Sequence, residues 1–429
     1  MTSRLAIAVI GAGPMGLMCA LELLKRGHSV DLYEHDDRIG GMSASFDFDG
    51  LEIERYYHFI CKTDYPLFEL LNELGLSDRL RWADTRMGFY YNGRLNDWGT
   101  PQALLRFDGL DWISKIRYAL HVMYTKNIKD WRRLDRVNAV DWLKRWLGHR
   151  GYDVLWNSLF QLKFHGYTNS LSAAWIGTRI KRVALSRRNV FQEELGYLEG
   201  GSKTLLDALE REILNLRGRI YLRCGVDQIV MESNKLKGII AGGKHHSYDR
   251  VVSTIPLPYI PRLAPNLPQD LCAQINAIAN LGVACVIIKL NKPLTDKFWL
   301  NINDPEIEIP GLIEYSNLNR MKPAIVYAPY YLPQAHPKYR MAEKSMIDEV
   351  VGYFGRINPS FRPDWIIAAR VSRYGFAQTV CPPEFYEMLP PMRTPVDGFY
   401  LADTSYYYPE DRSISESIKV GKQLARLVN

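Results

Sequence analysis

The sequence predicts an α/β protein built on a doubly wound parallel sheet, its chain broken by a second, mixed α+β domain. Three observations carry that expectation. Residues 5–10 form an apolar run that enters the glycine turn Gly11-Ala12-Gly13 and then a helical pattern, the start of a βαβ unit. Strand-like runs return from residue 220 and again at 398–402, far along the chain from the strand they would join. Finally, 429 residues suit two or three domains at roughly 100–200 residues each.

Taken in order, residues 14–26 place apolar side chains at 15, 17, 18, 21, 23 and 24, the spacing of a helix buried against a sheet. Gly27 ends it, and 29–33 reads as a second strand closing on Glu34. From about residue 98 to 195, Trp and Tyr are frequent, basic residues cluster and helical periodicity dominates. Within that stretch, 111–133 carries apolar residues at 112, 113, 116, 119, 120 and 123, one helical face. Strands are expected at 220–222, 225–231, 236–240, 250–254 and 284–290, then mixed strands and Pro-rich loops to about 380. A short strand at 398–402 and a helix at 413–428 close the chain. Residues 1–95, 196–260 and 386–429 are grouped as one domain; 96–195 and 261–385 form the other, helical first and then mainly sheet.

Composition narrows the function classes. With 47% hydrophobic and 24% charged residues, the chain can bury a core and is neither disordered nor fibrous. No apolar run reaches the length of a membrane-spanning helix. The run 5–10 flows straight into the glycine turn without a cleavage-like region, so no secretory signal is expected. The six cysteines, Cys19, Cys61, Cys224, Cys272, Cys285 and Cys381, are scattered and never spaced as CxxC. That pattern predicts a reducing cytoplasm and no metal site. The formal net charge of +7 selects no partner by itself, and no nucleic-acid motif accompanies it.

Gly11-Ala12-Gly13-Pro14-Met15-Gly16 fits G-x-G-x-x-G in its required place, directly after a strand and opening a helix. Gly11 permits the tight turn, Gly13 lets backbone approach a pyrophosphate at the helix N-terminus, and Gly16 allows close helix–strand packing. Glu34, 18 residues after Gly16, can accept both hydroxyls of a ribose and disfavours a 2′-phosphate. Asp37-Arg38-Ile39-Gly40-Gly41-Met42-Ser43 then supplies a second tight loop, with Arg38 adding positive charge. This pair of motifs resembles the flavin signatures of glutathione-reductase-type FAD enzymes. More narrowly, it resembles the amine oxidase, protoporphyrinogen oxidase and phytoene desaturase superfamily. Gly200-Gly201 before a helix, the strand beginning at Val226 and the run 398–403 ending in Ala402-Asp403 resemble further segments of that superfamily.

The resemblance implies a Rossmann-like FAD domain and an FAD held non-covalently. Its contacts would be Gly11, Gly13, Pro14, Met15, Gly16, Glu34, His35, Arg38, Gly40, Gly41, Met42, Val226, Asp403, Ser413 and Ile414. Ser413-Ile414-Ser415-Glu416 is a capping-box pattern. In the superfamily that helix N-terminus points at the flavin C2 carbonyl, where its dipole favours a reduced, anionic ring.

Three further readings concern chemistry. Where monoamine oxidases carry a lysine this chain aligns Val286, with Lys289 on the opposite face of the strand. The segment 56–64 resembles the histidine segment beside the flavin in UDP-galactopyranose mutases, with His58 at the first histidine; 406–412 sits at their Tyr-rich acidic segment. His58, Tyr408 and Arg412 are the catalytic candidates, alongside the reading that His58 is structural and that 407–412 only brace the last helix.

The expected activity is an FAD-dependent dehydrogenation of a C–N or C–C bond, by hydride transfer to flavin N5, on a small, lipid or sugar-type substrate. One alternative is a mutase-like sugar isomerase gripping a diphosphate with arginines such as Arg179, Arg182, Arg370 and Arg373; the other is a non-catalytic FAD- or NAD-binding module. The basic residues Lys115, Arg117, Lys126, Lys129, Arg132 and Arg133 around the 111–133 helix suit an anionic membrane surface or a diphosphate-bearing substrate. They equally suit a helix packed on its own domain with a solvated charged face.

Overall fold

A computed structural model describes residues 4–428. Its centre is a five-stranded sheet in the order Arg219–Tyr221, Ser29–Tyr33, Ala6–Ile10, Arg250–Ser253, Phe399–Leu401. Every neighbouring pair is parallel. Strands from four distant parts of the chain therefore meet in one sheet, as the recurring strand signals predict. Ile7, Ala8, Val9 and Leu32 are fully buried, because helices cover the faces of a parallel sheet.

Helix Pro14–Lys25 lies in the middle of this packing, against both Ser202–Asn215 and the closing helix Ile414–Leu427. The approach is backbone to backbone. A Cβ at Gly16 would stand 1.9 Å from the Gly11 carbonyl oxygen, and one at Gly421 would stand 2.6 Å from the Met15 carbonyl oxygen.

A second sheet of seven strands runs Ile366–Thr379, Asn280–Leu290, Ala324–Leu332, Gly311–Glu314, Trp299–Asn303, Met87–Tyr91, Arg94–Trp98. Asn280–Leu290 is its buried spine, paired antiparallel on both sides. Here the expected boundary at residue 95 is corrected. Met87–Tyr91 pairs in parallel with Trp299–Asn303, so the 87–98 hairpin extends the second sheet. A strand's alternation shows that it pairs, not with what.

The helices Trp112–Lys126, Ala139–Tyr152, Ser158–Phe164 and Ala173–Leu185 cap this half of the molecule. The first of them is shorter than the expected 111–133 and inverted. Ser114, Lys115, His121 and Thr125 are buried, while Trp112, Ile113, Ile116, Leu120, Met123 and Tyr124 are exposed. Its apolar face looks outward. The helix does pack on its own domain, against Ala139–Tyr152 and Ala173–Leu185, but it is the apolar face that it leaves outside.

The Gly421 contact makes a direct prediction. Gly421→Leu must push the first and last helices apart, and overpacking of this kind costs about 1–3 kcal/mol. A lowered midpoint in chemical denaturation checks it.

Candidate active site

A cavity of about 1190 Å³ opens beyond the carboxyl ends of the parallel strands, where such sheets bind ligands. Gly11 turns there with φ +99, and its N–H donates to the Tyr33 carbonyl at 2.8 Å. Gly13 is the N-cap of the first helix and offers no side-chain cap. A Cβ on it would meet nothing within 4 Å; the space before this helix N-terminus is open. Pro14 and Met15 join Gly11 and Gly13 in the wall, whereas Gly16 shapes the turn from beneath.

Glu34 is held by two backbone donors, the N–H of Ala12 at 2.7 Å and of Asp36 at 2.9 Å. Beside it, His35 and Val226 also line the cavity. The second glycine turn hangs from the first, because the Gly40 N–H donates to the Ala12 carbonyl at 2.8 Å. Gly40 has φ +108, and a Cβ on it would lie 2.6 Å from Leu206. Gly41 and Met42 face the cavity. Arg38 does not line it: its guanidinium pairs with Asp37 at 2.6 Å and donates to the Ser45 carbonyl at 2.8 Å. The charge expected of Arg38 is therefore spent on its own loop.

At the far end, the buried Asp403 accepts from the N–H groups of Leu257 at 2.8 Å and Ser405 at 2.9 Å. Burial raises its carboxyl pKa, against those donors. Ser413 caps the last helix by accepting from the Glu416 N–H at 3.1 Å, and Ile414 lies in the cavity wall. Next to it Ser415, 2% exposed, lines the cavity with a hydroxyl that has no hydrogen-bond partner among the described residues. A buried, unpaired hydroxyl at a helix N-terminus is what a polar ring of a bound group would satisfy.

The catalytic candidates separate. His58 lines the cavity, its Nδ1 2.6 Å from the buried Glu54 and its Nε2 3.3 Å from the Ser43 hydroxyl. Glu54 also accepts from the Ser202 N–H at 2.7 Å, tying the histidine to the Gly200-Gly201 turn. Glu54 did not stand out in the sequence, since a strand carboxylate carries no motif, and Ser43 was read only as the end of the second glycine loop.

Arg412 lines the cavity too, donating to the Ala377 carbonyl and to the Tyr331 hydroxyl. Tyr408 is corrected: it is buried outside the cavity, its hydroxyl donating to Asp135 and 2.7 Å from the Ser172 hydroxyl. It braces the helical cap.

A second chamber of about 630 Å³ adjoins the first, with Phe89, Trp98, Leu104, Val122, Phe164 and Phe298 among its walls. Tyr57, Lys163, Arg179, Tyr331 and Asp411 line both spaces and form the neck between them. Arg179 pairs with Asp411 at 2.7 Å, and Arg182 with Asp64 at 2.9 Å. Burial opposes ionisation of Asp411, but the surrounding cations, Arg179 foremost, outweigh it and hold the carboxyl at about 2. Among the described residues no cluster of three or more His, Cys, Asp or Glu could hold a metal ion, and no helix is long and apolar enough to cross a membrane.

The model of the flavin-containing amine oxidoreductases matches residues 16–428. The chain belongs to that family. The family makes it an FAD-dependent oxidoreductase, as the paired glycine turns imply. It is 23% identical to a 15-cis-phytoene desaturase of an Oncidium hybrid, over 99% of this chain and 78% of that protein. It is 26% identical to the zeta-carotene desaturase of Synechocystis, over 70% of this chain and 67% of that one. A structure described as a protoporphyrinogen oxidase of Exiguobacterium superposes with a TM-score of 0.77 at 17% identity, covering 100% of this chain and 99% of the other. That likeness speaks for the fold. The cavity fits the family's flavin on this chain's own terms: open backbone at Gly13, a fixed carboxylate at Glu34 and an unpaired hydroxyl at Ser415.

Two outcomes follow. Gly13→Val fills the open approach without touching a neighbour, so the protein should fold with unchanged circular dichroism yet purify without yellow colour. Asp411→Asn strands Arg179 and should cost about 3 kcal/mol. Because the Asp411 carboxyl is held down, the wild type keeps that stability above pH of about 4 and loses it towards about 2. The two proteins' denaturation midpoints should therefore converge across that window.

Proposed function

We propose that this enzyme dehydrogenates a C–C bond of a long, apolar substrate drawn from a membrane surface, with FAD bound non-covalently. The observation that carries the reading is the aromatic and aliphatic chamber that shares a wall with the flavin cavity at Tyr57, Lys163, Arg179, Tyr331 and Asp411. Burial of hydrocarbon is its one large source of binding energy. The desaturase relatives named for phytoene and zeta-carotene support a linear polyene as the substrate class. Oxidation of an amine is disfavoured by charge, since Arg412 beside the neck, which donates to the neutral Ala377 carbonyl and Tyr331 hydroxyl, would repel an ammonium.

The chain's residues divide the work. The N–H groups of the first helix turn would receive the pyrophosphate and Glu34 a ribose. Asp403 and the N-terminus at Ser413–Ile414 would hold the flavin end, with His58 a polar contact beside it. Bound FAD supplies the acceptor for the two electrons of the broken C–H bond. The chamber keeps water from the reacting carbons. Cys285 is the cysteine in the cavity wall, and its thiol is pushed up by burial, which supports a non-covalent flavin. A sugar-isomerase reading loses its diphosphate grip: Arg179 and Arg182 are ion-paired, Arg370 stacks on Phe46, and Arg373 donates to the carbonyls of Tyr339 and Met341.

The inverted helix supports the membrane part. Tyr118, Val122 and Met123 line the chamber, while Ile113, Ile116 and Leu120 of the same helix face outward. Lys126, Lys129, Arg132 and Arg133 are exposed beside them. Apolar side chains flanked by cations are what an anionic bilayer surface binds, and the substrate would pass from lipid to chamber behind one helix.

Two experiments test this. Anaerobic enzyme mixed with 15-cis-phytoene or squalene in vesicles should lose its yellow colour, and retention of colour with apolar polyenes would sink the substrate class. Separately, Ile113→Glu, Ile116→Glu and Leu120→Glu combined should weaken sedimentation with phosphatidylglycerol vesicles by at least about 100-fold, with flavin content unchanged. Equal binding would place the contact elsewhere.

A further inference from the structure

Lys163 lies in the last turn of helix Ser158–Phe164 and lines both the flavin cavity and the apolar chamber. It is 4% exposed. Its ammonium position sits over the rings of Tyr331 at 4.8 Å, Trp175 at 5.1 Å and Phe164 at 5.8 Å. Among the described residues its Nζ has no hydrogen-bond or ion-pair partner. A lysine almost never sits buried without a partner, so this one asks for a function.

We propose that Lys163 is the base that takes the proton released when the substrate is dehydrogenated. The assignment rests on the functional reading above. Removing two hydrogens from neighbouring carbons leaves two charges to place. One C–H bond gives up its hydrogen with both electrons to the oxidised flavin. The adjacent C–H bond then breaks, its electron pair becomes the new C=C π bond, and its proton adds to the lone pair of Nζ, giving an ammonium. Atoms and electrons balance with the flavin as the oxidant.

Other groups at the neck cannot do this. Arg179, Arg182 and Arg412 carry guanidiniums that hold no free lone pair for a proton. Asp411 is committed to Arg179 and is a very weak base. Tyr57 is a neutral phenol whose ionisation burial opposes, and His58 is held between Glu54 and Ser43 within the flavin cavity.

The charged groups facing Lys163 are Arg179 on helix Ala173–Leu185, and Asp411 and Arg412 before the last helix. Burial first, and then Arg179 and Arg412, lower its pKa well below the ordinary lysine value, with Asp411 opposing them. Its surroundings therefore favour the neutral amine, the form that can accept a proton. Once protonated, it gains the attraction of three aromatic faces, so the site favours the proton's transfer without a fixed counter-ion.

The test uses holoenzyme and two variants, Lys163→Met and Lys163→Arg, each checked for flavin content and melting temperature. Anaerobic rapid mixing with the polyene that bleaches the wild type should show flavin reduction slowed by at least about 100-fold in both, with the half-saturating concentration unchanged. The wild-type rate should rise with pH to a plateau as the amine loses its proton, and that step should vanish in Lys163→Met. Reduction within a few-fold of wild type in either variant overturns the assignment, as does an unchanged pH step. Should Lys163→Met not fold, Lys163→Arg, which keeps a long basic side chain but cannot accept a proton, decides alone.

A second measurement does not need turnover. Reductive methylation with carbon-13 and NMR of the holoenzyme should show Lys163 titrating well below an ordinary lysine. Titration near an ordinary lysine, at roughly 10.4, overturns the proposal. A wild type that no apolar polyene bleaches overturns the functional reading and the base with it. A fast variant beside a bleaching wild type overturns the base alone.

Discussion

Between Gly16 and the Gly11 carbonyl there is no room for a side chain: a Cβ would stand 1.9 Å from that oxygen. The first helix can therefore seat itself directly on the first turn, with its N-terminus at the carboxyl edge of the sheet. Gly421 repeats the condition from the other end of the chain, bringing the last helix onto Met15. Two helix N-termini consequently open into one cavity although their sequences are separated by nearly the whole protein. Partial positive charge from both converges there, which suits a cofactor carrying phosphate at one end and an electron-accepting ring at the other.

The rest of the site is organised by a change of polarity across a short neck. On one side the walls are backbone amides, fixed carboxylates and hydroxyls; on the other they are aromatic and aliphatic. The neck mixes Arg179, Asp411, Lys163 and Tyr331. Two cations and an acid can be buried together only because Arg179 is paired with Asp411 and the lysine can shed its proton. Outside the chamber the same logic is turned over: helix Trp112–Lys126 buries Lys115, His121 and Thr125 and shows its apolar residues to the exterior. Burial pulls the His121 imidazole down to about 4, so it is carried inward as a neutral group. A helix built this way is matched to a low-dielectric medium beyond the protein.

Much of this was legible in the residues. The G-x-G-x-x-G turn, Glu34, the Gly40-Gly41 loop, Val226, Asp403 and the cap at Ser413 are local patterns, each defined by a backbone requirement or a short spacing, and all lie in or under the cavity wall or bear on its turns. The misreadings share a cause. Arg38 was close to the phosphates in sequence, yet Asp37 beside it takes its charge. Tyr408 sat in a Tyr-rich turn, yet the side chain rotates towards Asp135 and Ser172. Residues 87–98 alternated as strands do, without declaring their partner sheet. Lys163 and Glu54 lay in no motif, and Ser415 was only an interior position of the capping box.

Periodicity in residues 112–123 correctly announced an amphipathic helix, and no more than that. Which way its apolar face turns depends on what the other helices leave uncovered. By itself, the sequence determined the sheet, the paired glycine turns and the flavin chemistry, because those rest on φ angles, caps and close backbone approach that a few neighbouring residues impose. Only the tertiary structure decided the neck, the chamber, the solitary lysine and the outward apolar face. Those depend on burial and charge partners supplied by segments a hundred or more residues away, and burial is a property of the packed chain.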